Sequence, residues 1–421
     1  MTAPPVGVVQ THGMSGATAV LDDVDIYDPE RYIAGAQHEV FARLRRTSPV
    51  YRQEMPDGTF YWAVLRHADV VAVARDPLLF SAEVGAVVLE DLPPEQLEQT
   101  KNMLLMMDPP RHATLRRNVA PLFKAREIAR LEGAIREVCR TMLDRAAEQG
   151  DVEFVHEVAA LLPSQVLGEM MRIPQEDRTQ IHRWAEMTAG VQDPDVNPDG
   201  YATAGPSEGN AQMALYGMQY AQRRRDEEPT DLGSMLLHVE IEGRPMTDLE
   251  FGYFFVQLVT AGNDTTRTML SSGLHALLEH PDELARLRAG RDYLPSAVEE
   301  ILRYANPLHY FRRTATADAV VGGQPIAAGD KLAMMYTSAN RDEAVFADPD
   351  RFDVTRYPNP HLSFGIAEHF CLGVHLARLE ARIFFEELLD RFPVIELTGE
   401  PRRMRSNLNN ALKVLPVRLS P

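Results

Sequence analysis

The chain has 421 residues but only two cysteines, Cys139 and Cys371. Two thiols so far apart cannot form the disulfide framework of a small secreted protein, and they fit a reducing compartment. No run of about 18 apolar residues is present, so no membrane span is predicted. The N-terminus also lacks the basic segment followed by an apolar one that indicates a signal peptide. We therefore expect a cytoplasmic protein.

Positive charge is also scarce. The chain has 43 basic and 61 acidic residues, which gives a formal net charge of -18. A nucleic-acid-binding protein needs a basic surface, so this composition argues against nucleic acid as a partner. The excess of acidic residues favours solubility and says little about the fold.

No internal repeat or low-complexity segment divides the chain. Residues 1–25 are rich in Gly, Pro, Thr and Ala, and we predict a disordered N-terminal arm there. Residues 26–421 are predicted to form a single domain.

The secondary-structure pattern is mainly helical. Helical spacing occurs at 37–47 and almost throughout 112–290, where Pro163 is one of the predicted breaks, whereas short strands are predicted at 50–52, 60–64, 320–337 and 411–419. The segment 81–107 either covers the core or contacts a ligand. Four Pro or Gly residues precede Pro206 in the stretch 192–206, which predicts a loop of the kind that often acts as a lid. The predicted fold class is mainly α with small β-sheets.

One helix stands out by its length. Thr247 and Glu250 form a capping-box pair, and the apolar run that follows extends from Phe251 to Leu278. About 30 residues at 1.5 Å each give roughly 45 Å of helix. A helix this apolar is expected in the centre of the fold.

Cys371 lies in a glycine-containing segment, 364–373, that runs directly into a predicted helix at 374–389. The N-H groups and positive dipole end of a helix N-terminus stabilise a thiolate. Gly365 permits a tight loop, Gly373 permits the close approach of a flat ligand, and Phe364 can exclude water. A zinc site needs further ligands, and no second cysteine is near. A metal centre with a single sulfur ligand, such as haem, is the favoured interpretation, and a structural cysteine is the alternative.

The middle of the long helix, residues 261–266, reads Ala-Gly-Asn-Asp-Thr-Thr. Glycine and polar residues inside a buried helix are locally unfavourable. Either they form a satisfied polar kink, or they interrupt the backbone hydrogen bonds and open a groove that holds water. In the second case Asp264 and Thr265 are candidates for proton transfer.

These two segments resemble the cytochrome P450 family. Phe364, Cys371 and Gly373 match the family's haem-binding signature, and 261–266 matches its Ala-Gly-x-(Asp/Glu)-Thr pattern. The chain departs from the signature at Ala367, where the family has glycine. A methyl group fits there if the backbone φ is not strongly positive. The resemblance covers the chain from about residue 28 to its end.

The resemblance implies a cytochrome P450 fold with haem b buried between the long helix and the cysteine loop. Cys371 would then be the iron ligand, and Asp264 and Thr265 would deliver protons to the reacting oxygen. A Glu-x-x-Arg pair is usually a surface pair. At its family position, however, Glu300 with Arg303 implies a buried ion pair, with Arg356 as its third member. The other residues implied to contact the haem are His112, Arg116, Ala261, Arg313, Phe364, His369 and Gly373.

The implied activity is insertion of one oxygen atom from O₂ into a hydrophobic small molecule. The chain shows no flavin or iron–sulfur motif, so a ferredoxin and its reductase are the expected electron donors. Arg117, His375 and Arg378 could form a basic docking patch for them. The alternative is a haem-thiolate protein that is not a monooxygenase, either a peroxide-using enzyme or a haem sensor.

The substrate is predicted to be hydrophobic because most of the expected contacts are apolar. The stretches 340–346 and 405–408 resemble bacterial members that oxidise sterols, terpenoids and branched lipids, and a natural-product tailoring substrate stays open. The expected substrate contacts are Val87, Leu89, Val191, Leu258, Leu308, His309 and Leu408.

Overall fold

The computed structural model describes residues 24–197, 208–241 and 243–421. Residues 1–23 of the predicted N-terminal arm and most of the predicted 192–206 loop lie outside these residues. Val24, at the end of the predicted arm, is buried in the core. The helices are α1 Pro29–Ile33, α2 Gln37–Thr47, α3 His67–Ala74, α4 Pro94–Thr100, α5 Arg111–Val119, α6 Ala125–Ala129, α7 Glu132–Gln149, α8 Leu161–Met170, α9 Gln175–Ala189, α10 Glu208–Arg224, α11 Leu232–Leu237, α12 Asp248–Glu279, α13 Pro281–Ala289, α14 Leu294–Tyr304, α15 Tyr336–Ala339 and α16 Val374–Arg391.

The strands are short. They are β1 Val50–Glu54, β2 Phe60–Val64, β3 Phe80–Ser81, β4 Asp151–Glu153, β5 Glu240–Ile241, β6 Arg244–Pro245, β7 Tyr310–Ala315, β8 Ala319–Val321, β9 Gln324–Ile326, β10 Lys331–Met335, β11 Val394–Leu397, β12 Arg402–Arg403, β13 Leu412–Val414 and β14 Pro416–Ser420. The class predicted from the sequence, mainly α with small sheets, is confirmed. No helix in the described parts of the chain is long and apolar enough to cross a bilayer.

The predicted long helix is α12, and its start is capped as expected. The Thr247 hydroxyl accepts a hydrogen bond from the Glu250 N-H at 3.2 Å, and the Glu250 carboxylate accepts one from the Thr247 N-H at 2.8 Å. The helix runs without interruption through 261–266. The expected break in its backbone hydrogen bonds is therefore wrong, because buried packing along the helix outweighs the poor helix propensity of Gly, Asp and Thr.

Helix α12 lies at the centre of the helical part and packs against α8, α9, α10, α14 and α16. Its contact with α10 is close because Gly217 of α10 faces Gly252 of α12, and a Cβ on Gly217 would lie 3.0 Å from the Gly252 Cα. Aromatic side chains fill the rest of this contact, with the Tyr220 and Phe251 rings stacked at 5.7 Å. This packing fixes α12 as the rigid element on which one wall of the site is built.

The largest sheet has the strand order β1-β2-β10-β7-β3. The predicted hairpin is confirmed, since β1 and β2 pair antiparallel with Val50 opposite Val64, and their turn contains Gly58 with φ +81°. Arg312 and Arg313 lie inside β7. Pro163 was expected to end a helix, yet it lies in the first turn of α8, where a missing N-H costs no helical hydrogen bond.

Candidate active site

Cys371 lies directly before α16, which begins at Val374 with Gly373 at its N-cap. The loop that carries it is closed by a hydrogen bond from the Cys371 N-H to the Phe364 carbonyl at 2.8 Å. Gly365 has φ +68°, a conformation that favours glycine, and permits the tight turn. The sequence prediction that the cysteine is presented at a helix N-terminus is thus confirmed by the geometry.

Ala367 has φ +57°, in the left-handed region. The condition under which its methyl group was expected to fit, a φ that is not strongly positive, does not hold. The residue instead begins a short 3-10 turn, Ala367–His369, that leads to the cysteine. The loop therefore keeps the shape that glycine would favour, at a conformational cost of about 1–2 kcal/mol.

The Cys371 thiol lies in a buried but electropositive environment. Burial raises its pKa, whereas the Gly373 N-H and the Arg116 and Arg378 guanidinium groups lower it. A bound metal ion overrides such a balance because it coordinates the deprotonated sulfur. The surroundings are thus those of a sulfur ligand rather than of a free nucleophile at neutral pH.

A cavity of about 220 Å³ lies between α12 and the cysteine loop. One stripe of α12 lines it at helical spacing: Gln257, Leu258, Ala261, Gly262, Thr265, Thr266 and Met269. Phe364, Cys371 and Gly373 line the opposite wall. A Cβ added to either Gly262 or Gly373 would meet no atom within 4 Å, so both glycines leave open space for a flat group between the walls.

Four imidazole and guanidinium side chains from three elements also line this cavity: His112 and Arg116 of α5, Arg313 of β7, and His369 of the loop before Cys371. The buried His112 Nδ1 and His369 Nε2 have no hydrogen-bond partner in the described structure. Buried donors without acceptors are costly, and two carboxylates placed here would satisfy them. The four side chains therefore fit the two propionates of a haem.

The two imidazoles face each other with ring centroids 4.3 Å apart. Burial and the nearby Arg116 charge lower the pKa of His112 to about 4, and burial with the Arg313 charge lowers the pKa of His369 to about 2. Both rings are neutral at pH 7. The 3.9 Å contact between His112 Nδ1 and Glu368 is consequently not an ion pair, and the ring is left to donate elsewhere.

Across the cavity from Cys371, the Thr265 hydroxyl donates to the Ala261 carbonyl at 2.6 Å. The neighbouring Asp264 does not line the cavity, and its carboxylate lies 3.2 Å from the Arg267 guanidinium. Burial raises the pKa of Asp264 to about 6, although the Arg267 charge opposes the shift. The carboxyl group is thus poised to gain and lose a proton near neutral pH.

Arg267 joins Asp264 to a chain of titratable groups that reaches the surface. Its other terminal nitrogen lies 3.2 Å from the Glu186 carboxylate, which also accepts a hydrogen bond from the half-exposed His156 at 3.0 Å. This series of contacts could not be predicted, because Glu186 and His156 are far from Asp264 in the sequence and neither belongs to a motif.

Glu300, Arg303 and Arg356 form the ion-pair cluster predicted from the sequence. Both Arg303–Glu300 contacts measure 2.8 Å, and the side chains of both residues are 0% exposed. Arg356 Nε adds contacts of 3.1 and 3.2 Å to the same carboxylate. Arg303 also donates to three backbone carbonyls, at Asn340, Pro349 and Arg351. The cluster ties the irregular segment before the cysteine loop to α14.

Two of the seven expected substrate contacts, Leu258 and Leu308, line the cavity. His309 does not, because its buried ring hydrogen-bonds Thr337 at 2.7 Å and packs on Tyr32 at 4.4 Å. It is a structural residue, and its expected substrate contact is not supported. The remaining four are also absent from the lining, since local packing or backbone pairing directs them elsewhere: Val87, Leu89, Val191 and Leu408.

Two lining residues escaped the sequence analysis. Glu380 of α16 is fully buried and hydrogen-bonds the Thr266 side chain, and burial raises its pKa to about 8. The available signal was an acidic residue on the apolar face of α16, four positions before the buried Phe384. The Gln257 side chain of α12 accepts a hydrogen bond from the Leu105 N-H at 3.1 Å. The one indication in the sequence was that Gln257 is a polar residue inside the apolar run of α12.

The site thus combines a cysteine loop at a helix start with a threonine on the central helix opposite it, and buried imidazole nitrogens without partners lie beside them. This is the arrangement of haem-thiolate proteins. The family model described as Cytochrome P450 matches residues 213–419. A steroid C26-monooxygenase of Rhodococcus jostii is 35% identical, with 98% of this chain and 89% of the relative covered. A methyl-branched lipid omega-hydroxylase of Mycobacterium bovis is 39% identical, with 90% of each chain covered.

A solved Mycobacterium marinum cytochrome P450 in complex with pseudoionone has a TM-score of 0.88 and 36% identity, with 96% of this chain and all of that chain covered. The chain therefore belongs to the cytochrome P450 family, and it is a cytochrome P450 monooxygenase. The cofactor of the family is haem b.

Proposed function

We propose that the chain hydroxylates a sterol, a terpenoid or a lipid-like molecule in the cytoplasm, with O₂ as the oxidant and a ferredoxin and its reductase as electron donors. Cys371 would supply the sulfur ligand of the haem iron. The observation that carries the assignment is the cavity itself. It holds Cys371 at a helix start, and the buried ring nitrogens of His112 and His369 have no partner among the described residues.

When bound, haem supplies the iron centre at which dioxygen is activated. Arg116 and Arg313 would neutralise its propionates, and the neutral His112 and His369 would donate hydrogen bonds to them. Phe364 covers the sulfur side and excludes water. Ala261 and Gly373 allow the flat ring to approach both walls closely. Glu300, Arg303 and Arg356 hold the loop segment in place before the cofactor binds.

Proton delivery is assigned to Thr265 and Asp264. The Thr265 hydroxyl lines the cavity opposite Cys371, and it can turn from the Ala261 carbonyl toward bound substrate or water. Asp264, whose pKa lies near 6, can take up and release a proton, and its ion pair with Arg267, which Glu186 also contacts, holds the carboxylate in position. Asp264 has to release its ion pair, or act through water, to reach Thr265.

The hydrophobic substrate class is supported by the apolar lining of the cavity. Leu104, Leu105, Leu258 and Leu308 contribute to it together with Met334. A steroid and a methyl-branched lipid are the substrates in the names of two relatives. Both are large apolar molecules, in agreement with the lining.

The basic docking patch on the cysteine side is smaller than the sequence suggested. Arg378 is engaged by Glu299 through two hydrogen bonds of 2.7 Å. Arg117 and His375 are exposed and make no ion pair within the described residues. They are the positive groups proposed to meet an acidic ferredoxin, and substitution of Arg117 should slow electron transfer in a salt-dependent manner.

The reduced carbon-monoxide difference spectrum tests the assignment of Cys371. The wild-type protein should show the Soret band of thiolate-ligated haem, and Cys371→Ala should lose it. Cys139→Ala is the matched control because the other cysteine is buried in the helical core, away from the cavity. A protein that purifies without haem in haem-replete cells, or a Cys371→Ala variant that keeps the thiolate band, would refute the assignment.

A further inference from the structure

We propose that Gln257 is a specificity residue that selects substrates carrying a hydrogen-bond acceptor, such as a ketone or an ester carbonyl, about 12 Å from the carbon that is oxidised. The inference rests on the proposed function and adds a substrate feature to it. It starts from a polar side chain in an apolar stretch of the cavity.

The orientation of the Gln257 amide is fixed by its neighbour. The Leu105 backbone N-H is a donor, so the Gln257 atom 3.1 Å from it has to be the carbonyl oxygen Oε1. The Nε2 group therefore points away from Leu105. It makes no hydrogen bond within the described residues, and it is not among the buried atoms without a partner. A free N-H donor is thus accessible from the cavity.

The surroundings make this donor selective. Leu104, Leu105 and Leu258 line the cavity beside Gln257, so little else there can satisfy a polar group of a ligand. A carbonyl oxygen that enters this region without a partner loses its hydration, whereas one that meets Nε2 keeps a hydrogen bond. An apolar ligand of the same shape leaves Nε2 unpaired, and it binds less well for that reason.

The position of Gln257 on α12 sets the distance. Gln257, Ala261 and Thr265 lie on the same stripe of the helix, and all three line the cavity. Eight residues at 1.5 Å each separate Gln257 from Thr265 by about 12 Å. In the proposed function, the substrate is oxidised at the end of the cavity where Thr265 lies. The acceptor and the oxidised carbon of the substrate are therefore held at opposite ends of this stripe.

Gln257 could instead serve only to hold the 94–107 segment on α12. A second contact does the same, since the Tyr253 hydroxyl donates to Gln99 of α4 at 2.8 Å. Tyr253 does not line the cavity. Tyr253→Phe therefore loosens the same segment without removing a polar group from the cavity, and it is the matched control for Gln257→Met, which keeps the side-chain length and removes both polar atoms.

The test measures binding by calorimetry to the haem-loaded protein. The two probes are a long-chain methyl ketone and the alkene in which a methylene group replaces the ketone oxygen. The wild-type protein and Tyr253→Phe should bind the ketone about tenfold more tightly, the ratio that one hydrogen bond supplies. In Gln257→Met the ketone loses its hydration without gaining a hydrogen bond, so the ratio of ketone to alkene affinity should fall to one or below. In a series of ketones of different length, hydroxylation should be most efficient when the ketone oxygen and the oxidised carbon are about 12 Å apart, the distance from Gln257 to Thr265 along α12.

Equal binding of the two probes by the wild-type protein, or an unchanged ratio in Gln257→Met, would overturn the inference and leave the proposed function intact. Loss of the ratio in Tyr253→Phe as well would reduce Gln257 to a structural contact. Binding of both probes without any hydroxylated product, in the presence of O₂ and electrons, would count against the proposed function instead.

Discussion

The Asp264 carboxylate lies 3.2 Å from the guanidinium group of Arg267, less than one helical turn further along α12. Because Arg267 opposes the effect of burial on Asp264, its removal should raise the pKa of Asp264 above about 6. We expect Arg267→Gln to shift the pH profile of product formation upward by about one unit. Arg267→Lys keeps the positive charge and is the control. If the pH profile of product formation is identical in the wild-type protein and both variants, Asp264 does not take part in proton delivery.

Substitution of the buried Glu300 should lower the free energy of unfolding far more than substitution of its neighbour Glu299. Glu300→Gln leaves Arg303 and Arg356 without their carboxylate in a fully buried position, and it should cost about 3–5 kcal/mol. Glu299→Gln weakens the contacts of a partly exposed carboxylate with Arg378 and His361 and should cost roughly 1 kcal/mol. Thermal unfolding and haem retention measure both. Equal effects of the two substitutions would contradict a structural role for the cluster.

Ala367 and Gly365 both have positive φ within one short loop, at +57° and +68°. Ala367→Gly should relieve the left-handed conformation and stabilise the protein by about 1 kcal/mol, because part of the gain is offset by the greater freedom of glycine in the unfolded chain. Gly365→Ala should destabilise it by a similar amount. The free energies of unfolding of the two variants test this. An Ala367→Gly variant that is less stable than the wild-type protein would contradict the prediction.

Glu380 predicts a pH dependence of stability. Its pKa is raised from 4.5 to about 8 in the folded protein, so the folded state keeps a proton that the unfolded state releases. The stability that this carboxyl contributes is fully present below pH 4.5 and is lost as the pH rises to about 8, by up to about 1.4 kcal/mol per unit.

Glu380→Gln removes this titration while keeping a neutral side chain of the same size. The stability of the variant relative to the wild-type protein should therefore increase between pH 5 and pH 8. Glu368→Gln is a suitable control, since the Glu368 side chain is about half exposed. A constant difference between variant and wild type across this range would show that Glu380 is already ionised in the folded protein.

Features encoded within a few residues could be predicted from the sequence. The start of α12 follows from the pair of Thr247 and Glu250, and the β1–β2 hairpin from its turn residues, because both depend on local hydrogen bonds. The cluster of Glu300, Arg303 and Arg356 was reached through the family resemblance, since spacing alone cannot distinguish a buried pair from a surface pair.

Features that depend on how distant segments meet could not be predicted. Val87 and Leu89 are as apolar as Leu258, yet packing places them away from the cavity lining. Likewise, the contact of Arg267 with Glu186 joins α12 to α9, and no sequence pattern in either helix predicts it. The backbone conformation of Ala367 is imposed by the loop around it, against the preference of the residue itself.

Two ring nitrogens in the cavity, those of His112 and His369, have no acceptor in the described parts of the chain, and this links folding to cofactor supply. A ligand that binds only the folded state stabilises it in proportion to the logarithm of its concentration, by about 4 kcal/mol at a thousandfold excess over its dissociation constant. Without haem, His112 and His369 remain desolvated and unpaired. The amount of this protein in a cell should consequently follow haem biosynthesis, with the haem-free chains removed by proteases before they accumulate.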